Sequence, residues 1–218
     1  DLSLIFNKKK GIELISHKFS NEKQILKIGF NNKKYNIELS LIGKIQVKNI
    51  LMAILAAHKS GLEFHKIINV IDKIQSVEGR LEKIGKIKNN SKVILDYAHT
   101  PAALELALLN LREQFPSSKI NLIFGCGGNR DLKKRSKMGM IAEKYSNKIY
   151  LTDDNPRNEN ANLIRKTLKK YCQKAEDIPN RRKAIKAAIL EMHEKDVLII
   201  AGKGHEKYQI IKNKKIIF

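Results

Sequence analysis

Residues 93–101 read Val-Ile-Leu-Asp-Tyr-Ala-His-Thr-Pro. Three adjacent large apolar residues without alternation describe a strand buried on both faces. A polar stretch then ends the strand. Pro101 suits the first turn of a helix, where no backbone N–H is needed, and Leu104, Leu108 and Leu111 follow at helical spacing. The same order of apolar run, polar turn and helix repeats downstream. Ile120–Phe124 leads to a helix face of Met138, Ile141, Ala142 and Tyr145. Lys148–Leu151 leads to a helix marked by Ile164, Leu168 and Tyr171. Pro179 is expected to open a helix carrying Ile185, Ala188, Ile189 and Met192, before a fourth strand at Val197–Ala201 and a closing hairpin over 207–218. Strands alternating with helices predict an α/β fold: right-handed crossovers and a mostly parallel sheet with helices on both faces.

Upstream the pattern differs. Residues 1–40 set short apolar runs, Leu4-Ile5-Phe6, Ile25-Leu26-Lys27-Ile28 and Tyr35-Asn36-Ile37, between clusters of Asn and Lys, which predicts a β-meander or hairpins. Two amphipathic helices follow, one with Ile50, Ala53, Ile54 and Ala57, the other with Phe64, Ile67, Ile68 and Ile71, with Gly61 as the stop between them. These stripes are core signals. The division falls near Ser76–Leu81, giving domains over 1–78 and 79–218.

The chain is 218 residues long, enough for one or two cored domains, and holds no apolar run near the ~18 residues of a membrane span. Cys126 and Cys172 are its only cysteines, too few for a disulfide scaffold or a four-cysteine zinc site, which leaves a reducing cytoplasm as the expected location. Lysine plus arginine number 43 against 22 acidic residues, a formal net charge of +21. Only eight are arginines, and the lysines are scattered, as in a lysine-rich solvated surface. The other reading is an anionic partner, and a phosphorylated small substrate ranks above nucleic acid because no RNA-binding aromatic motif or zinc-finger spacing is present.

Each of the four strands runs into a polar or glycine-rich cluster: Asp96-Tyr97-Ala98-His99-Thr100-Pro101, Gly125-Cys126-Gly127-Gly128-Asn129-Arg130-Asp131, Thr152-Asp153-Asp154-Asn155-Pro156-Arg157 and Gly202-Lys203-Gly204-His205-Glu206. Taken singly, each has a plain account. A Gly-Cys-Gly-Gly turn is a tight loop, His99 a turn residue, Arg157 a solvated charge, Cys126 a small packing residue. Neither glycine cluster is a dinucleotide fingerprint or a Walker loop. Together they carry more weight. Carboxyl ends of parallel strands point the same way and open one crevice, so residues distant in sequence are expected to meet there.

In this order and spacing the four motifs resemble the C-terminal domain of the Mur ligases of peptidoglycan synthesis, most closely the branch that adds diaminopimelate. The resemblance extends upstream to about Leu41. Gly43-Lys44-Ile45-Gln46-Val47-Lys48-Asn49 is similar to the family's glycine-to-asparagine helix start, with Gln46 where Asn is usual. Glu78-Gly79-Arg80-Leu81-Glu82 is similar to its Pro-Gly-Arg-Met-Glu link, with Glu78 in place of proline. Asn129 and Asn180 stand where Asp is common.

The resemblance implies a Rossmann-like C-terminal domain preceded by part of a central ATPase domain. It implies a reaction using ATP and Mg²⁺. The D-glutamyl carboxylate of UDP-MurNAc-L-Ala-D-Glu is phosphorylated, and the amine of meso-diaminopimelate attacks the acyl phosphate. By the same resemblance Arg130, Asp154, Asn155, Pro156, Arg157, Gly202 and Glu206 would hold the diamino acid, with the arginines suited to carboxylates and Glu206 to an ammonium. Asn49, Arg80, Asp96 and His99 would contact ATP. Asp154-Asn155-Pro156-Arg157 resembles the family's mark for meso-diaminopimelate, whose second carboxylate the arginine pairs; lysine-adding relatives lack that arginine. No catalytic or metal-ligating residue is assigned here. The family's Gly-Lys-Thr loop, Mg²⁺ ligands and carbamylated lysine are not in these residues. The chain is therefore expected to begin within the central domain, to bind the diamino acid weakly and not to ligate alone. It is expected to be a monomer without nucleic-acid or integral membrane contacts. Open alternatives are a lysine-adding sister, a folylpolyglutamate or cyanophycin-type ligase, and a basic nucleic-acid or anion-binding module.

Overall fold

The computed structural model describes residues 11–20, 22–87 and 90–217. The strand expected at Leu4-Ile5-Phe6 lies outside them. The chain divides into two compact units, residues 1–76 and 77–218.

The first unit opens with an antiparallel meander of β1 (Glu13–Ser20), β2 (Lys23–Phe30) and β3 (Lys33–Leu39). Asn31 and Asn32 join β2 to β3 with φ of 47° and 60°, the two-residue turn whose twist suits a hairpin. Helix α1 (Ile45–Lys59), the short α2 (Phe64–Ile68) and a 3-10 turn (Ile71–Lys73) complete the unit. The α1 face is rotated from the expected stripe. Val47, Ile50, Leu51 and Ile54 are buried while Ala53 is exposed, because the larger Leu51 and Val47 bury more apolar surface than alanine. Gly61 follows the end of α1 with φ 99°, as a helix stop requires. Ile71 is buried but sits in the separate 3-10 turn. Phe30 of β2 stacks on Phe64 with ring centroids 4.0 Å apart, tying the meander to α2.

The second unit contains a six-stranded sheet. Its strands are β4 (Glu82–Lys86), β5 (Lys92–Asp96), β6 (Ile120–Phe124), β7 (Lys148–Leu151), β8 (Glu176–Asp177) and β9 (Val197–Ala201), in the spatial order β4-β5-β9-β6-β7-β8. All neighbours are parallel except β4 with β5. The helices are α3 (Pro101–Gln114), α4 (Lys133–Tyr145), α5 (Ala161–Lys169) and α6 (Arg181–Leu190). Neighbouring α3, α4 and α5 pack side by side, and α6 packs on β6, β7 and β9. Three right-handed crossovers advance across the sheet and the fourth returns β9 to its centre, so α6 lies on the face opposite α3–α5. Val93, Ile123, Tyr150, Leu198 and Ile200 meet Ala188 and Met192 on the α6 side. The alternate strand residues Ile94, Leu122, Phe124, Ile149 and Ile199 are fully buried, and period-two alternation turns them to the other face, toward α3–α5. A side chain so buried contributes roughly 1.5–3 kcal/mol.

Local signals set the helix starts. Thr100 accepts from Ala103 N with Pro101 in the first turn, Asn160 accepts from Asn162 N and Leu163 N, and Asn180 accepts from Lys183 N. That last cap corrects the start expected at Pro179: the proline lies outside the helix, and the asparagine side chain supplies the acceptor. Tyr171 also lies beyond its expected helix, since α5 ends at Lys169. A hairpin of β10 (Tyr208–Ile211) and β11 (Lys214–Ile217) follows β9.

Candidate functional site

Loops 96–101, 125–132, 152–157 and 202–207 leave the carboxyl ends of β5, β6, β7 and β9, and they border one cavity of about 530 Å³. Tyr97, His99, Thr100 and Pro101 line it from the first loop; Gly125, Gly127, Arg130 and Asp131 from the second; Asp154, Asn155 and Arg157 from the third; Gly202 and Glu206 from the fourth. Lys134 of α4 adds a cation at the edge. Three cations and three carboxylates face a shared space. Such a balance suits a zwitterion better than a polyanion, which a uniformly basic wall would attract.

The loops brace one another. Arg157 Nη1 donates to Gly128 O at 2.9 Å and Asn155 O at 3.3 Å, and Gly128 N donates to Asn155 O at 2.9 Å. Nη2 and Nε of Arg157 make no hydrogen bond among the described residues, so a planar pair of donors remains for a carboxylate. Arg135, 5% exposed, donates to Glu159 Oε2 at 2.8 Å and Gly127 O at 3.3 Å, and Glu159 Oε1 accepts from Asn129 N. Burial works to raise the Glu159 carboxyl, but Arg135 and the Asn129 amide outweigh it and hold it below the ordinary value of 4.5. Arg130 is exposed and makes no hydrogen bond or ion pair among the described residues.

Glu206 lies between Lys203, whose Nζ reaches Oε2 at 2.9 Å, and Tyr97, whose OH approaches Oε1 at 3.5 Å. Burial would raise its carboxyl; the hydrogen bond and charge of Lys203, with Asn155 and His205, more than offset this and leave it below 4.5. It is held ionised, as an acceptor for an ammonium must be. Asp154 is buried, and its Oδ1 accepts from Asn155 N at 2.6 Å.

Of the remaining expected residues only His99 lines the cavity. Pro156 does not line the cavity; its carbonyl accepts from Glu159 N at 3.0 Å. Asp96 is buried off the lining, with Oδ2 accepting from Leu81 N and Oδ1 from Ala98 N, both at 2.8 Å. Burial raises its carboxyl, against the lowering by those two amides and Arg80. It thereby holds Leu81 at φ 45°, a conformation most side chains avoid. Arg80 is exposed, with its guanidinium carbon 5.0 Å over the Tyr97 ring. His99 packs edge-on against Tyr97 at 4.7 Å, and His205 stacks on it at 5.8 Å. Asn49 belongs to the first unit, exposed on α1, where its Nδ2 donates to Gln46 Oε1 at 3.1 Å.

Two residues were missed by sequence reasoning. Tyr97 carries no mark within its motif, yet Arg80, His99, His205 and Glu206 gather on it. Lys203 lies in a glycine cluster that lacks a Walker ending, yet it is 1% exposed. Cys126 is a packing residue: it contacts Met138 and burial pushes its thiol up to about 12.

The family model of the Mur ligase glutamate ligase domain matches residues 79–204, and the chain belongs to that family. Among the relatives it is similar to is a UDP-N-acetylmuramoyl-L-alanyl-D-glutamate–2,6-diaminopimelate ligase of Rickettsia montanensis, 43% identical over 214 residues, covering 97% of this chain and 44% of the relative. A solved structure of an enzyme with the same name superposes with a TM-score of 0.72 at 30% identity, covering 97% of this chain and 44% of that one. The folylpolyglutamate synthase of Mycobacterium tuberculosis, with a TM-score of 0.69 at 18% identity over 89% of this chain and 46% of its own, shares the fold. The chain thus spans under half the length of the curated relatives it matches. Among the described residues no helix is long and apolar enough to cross a membrane.

Proposed function

We propose that this chain supplies the amino-acid-binding part of an ATP-dependent, ADP-forming amide ligase that adds meso-diaminopimelate to UDP-MurNAc-L-Ala-D-Glu in peptidoglycan synthesis. The observation that carries the reading is the mixed-charge cavity in which Arg130, Arg157, Asp154 and Glu206 meet from three separate strand ends. A diamino diacid presents two carboxylates and two ammonium groups. Arg157, with two donors uncommitted, fits a carboxylate in a bidentate manner, and exposed Arg130 supplies a second cation. Glu206 and Asp154 fit ammonium groups. The printed names of the relatives at 43% and 30% identity support the same substrate.

The chemistry asks that the amine be held in line with the acyl phosphate and that water be kept away from it. The acids that bind one ammonium fix the far end of the diamino acid, so the other amine is presented in a set direction. For ATP, the Lys134 ammonium at the cavity and the Arg80 guanidinium over Tyr97, outside the lining, are cations suited to a terminal phosphate, and His99 lies beside the same ring. The bound nucleotide would supply the phosphoryl group that activates the carboxylate. Magnesium is another matter. Among the described residues no group of three or more His, Cys, Asp or Glu could hold a metal.

The lysine-adding alternative is disfavoured by Arg157, which would face no partner on a substrate with one carboxylate. Calorimetric titration of this chain with meso-diaminopimelate and with L-lysine tests the reading. Binding of the first and not the second is expected; equal affinities, or none for meso-diaminopimelate, would contradict it.

A further inference from the structure

Lys203 sits in a place that disfavours an isolated ammonium, 1% exposed beneath the cavity. Its three N–H groups are all committed. They donate to Asn155 Oδ1, to Glu206 Oε2 at 2.9 Å and to Tyr208 O at 2.7 Å. Those acceptors come from the loop after β7, the loop after β9 and the first residue of the β10–β11 hairpin. One buried cation therefore joins three segments that the sequence separates by up to 53 positions, from Asn155 to Tyr208.

The hairpin grips the same loop independently. Gln209 Nε2 donates to Asp153 O and Asp154 O, both at 2.8 Å. Ile210 N donates to Asn155 Oδ1 at 2.8 Å. Arg157 N donates to Ile210 O at 3.0 Å, and Lys212 N donates to Arg157 O at 2.8 Å. Arg157 has φ 51°, in the left-handed region that residues with a Cβ rarely adopt. The hairpin bonds secure its N–H and its carbonyl together, so the strand opposite supplies what the local backbone lacks.

We propose that Lys203 and Gln209 are positioning residues for the diamino-acid pocket, and that the β10–β11 hairpin is the element that sets its selectivity for a second carboxylate. Lys203 aims the Glu206 carboxylate and the Asn155 amide; Gln209 holds the backbone that presents Asp154 and Arg157. Neither side chain lines the cavity. The proposal rests on the reading of the cavity as a diamino-acid site. The charge on Lys203 also neutralises Glu206 from below, which leaves the cavity face of that carboxylate to a second cation. Buried Arg181, whose charge also acts on Glu206 and Asp154, reinforces this from α6.

The test compares the chain with its K203M and Q209A variants by three readouts. The first is the titration of the Glu206 carboxyl followed by ¹³C NMR. The second is amide hydrogen exchange at Arg157, Ile210 and Lys212. The third is the calorimetric affinity for meso-diaminopimelate. K203M is expected to raise the Glu206 titration point, to speed exchange at all three amides and to weaken meso-diaminopimelate at least tenfold. Q209A is expected to speed exchange at Arg157 and Lys212 and to weaken meso-diaminopimelate, with the Glu206 titration unchanged. A K203M protein whose Glu206 titration and amide exchange match the parent overturns the role of Lys203. If K203M does not fold, Q209A decides: parent-like exchange and affinity overturn the role of the hairpin. Should the unmodified chain bind no meso-diaminopimelate, the substrate reading fails, and the first two readouts still decide whether Lys203 and Gln209 organise the loop.

Discussion

At Gly128 the loop carrying Arg130 lies close against the loop carrying Arg157, and replacing it with alanine tests whether that approach matters. An added Cβ would stand 2.0 Å from Pro156 O, 2.9 Å from Pro156 C and 3.0 Å from Glu159 Cβ. Ordinary contact begins near 3.4 Å, so the loops must part by about 1.4 Å, and the nearest obstacle is backbone rather than a flexible chain end. That displacement breaks Gly128 N to Asn155 O and Arg157 Nη1 to Gly128 O, both 2.9 Å. A neutral hydrogen bond is worth about 0.5–1.5 kcal/mol and one from a charged donor about 1.5–3, so the loss is roughly 2–4.5 kcal/mol. At about 2–4 °C per kcal/mol for a chain of this size, the melting temperature should fall by roughly 4–18 °C. Gly85→Ala is the control, because nothing lies within 4 Å of its added Cβ. Scanning calorimetry of both variants reads the difference. A Gly128→Ala protein that melts with the Gly85→Ala control would refute the close packing of the two loops.

Other consequences are as direct. Arg157→Lys keeps the charge but loses the planar fork; affinity for meso-diaminopimelate should drop about 10–100-fold, as expected for about 1.5–3 kcal/mol of charged hydrogen bonding, and an unchanged calorimetric affinity would contradict that. Glu159 has a folded value below 4.5, so its stabilising contribution is complete above 4.5 and is lost as pH falls through the lower folded value. Glu159→Gln should therefore flatten the acid side of a melting-temperature profile, whereas a profile parallel to the parent would count against the Arg135–Glu159 brace. Cys126 and Cys172 are both buried with thiols pushed up to about 12 by burial, so at pH 8 iodoacetamide should modify neither in the folded chain and both in urea. Rapid alkylation of the folded protein, read by mass spectrometry, would show that assignment to be wrong.

Parallel strands covered on both faces leave plain traces. Val93-Ile94-Leu95 and Leu122-Ile123-Phe124 read as strands because consecutive apolar residues fill both faces. β4 left none: Glu82-Lys83-Ile84-Gly85-Lys86 has one large apolar residue, exposed Ile84, and pairs only along one edge of the sheet. β8 is two exposed acidic residues with no apolar side chain to mark a strand, held to β7 by backbone pairing and a Lys148–Glu176 ion pair at 3.8 Å. The convergence of His99, Arg130, Arg157 and Glu206 was legible because strand direction dictates it. Lys203 was not, since its three acceptors lie in three segments and no local pattern marks a lysine for burial. Asp96 illustrates a limit of another kind. A carboxylate at a strand end reads as a ligand group, and only coordinates reveal that both oxygens already accept backbone amides.

The central claim is that the loops after β6, β7 and β9 form one receptor for a doubly zwitterionic amino acid. Backbone amide chemical-shift mapping during titration with meso-diaminopimelate tests it most directly. The account predicts shifts that saturate together at Arg130, Asn155, Arg157, Gly202 and Glu206, while β1–β3 of the first unit stay still. Shifts confined to one loop, or scattered over lysines of both units, would contradict it.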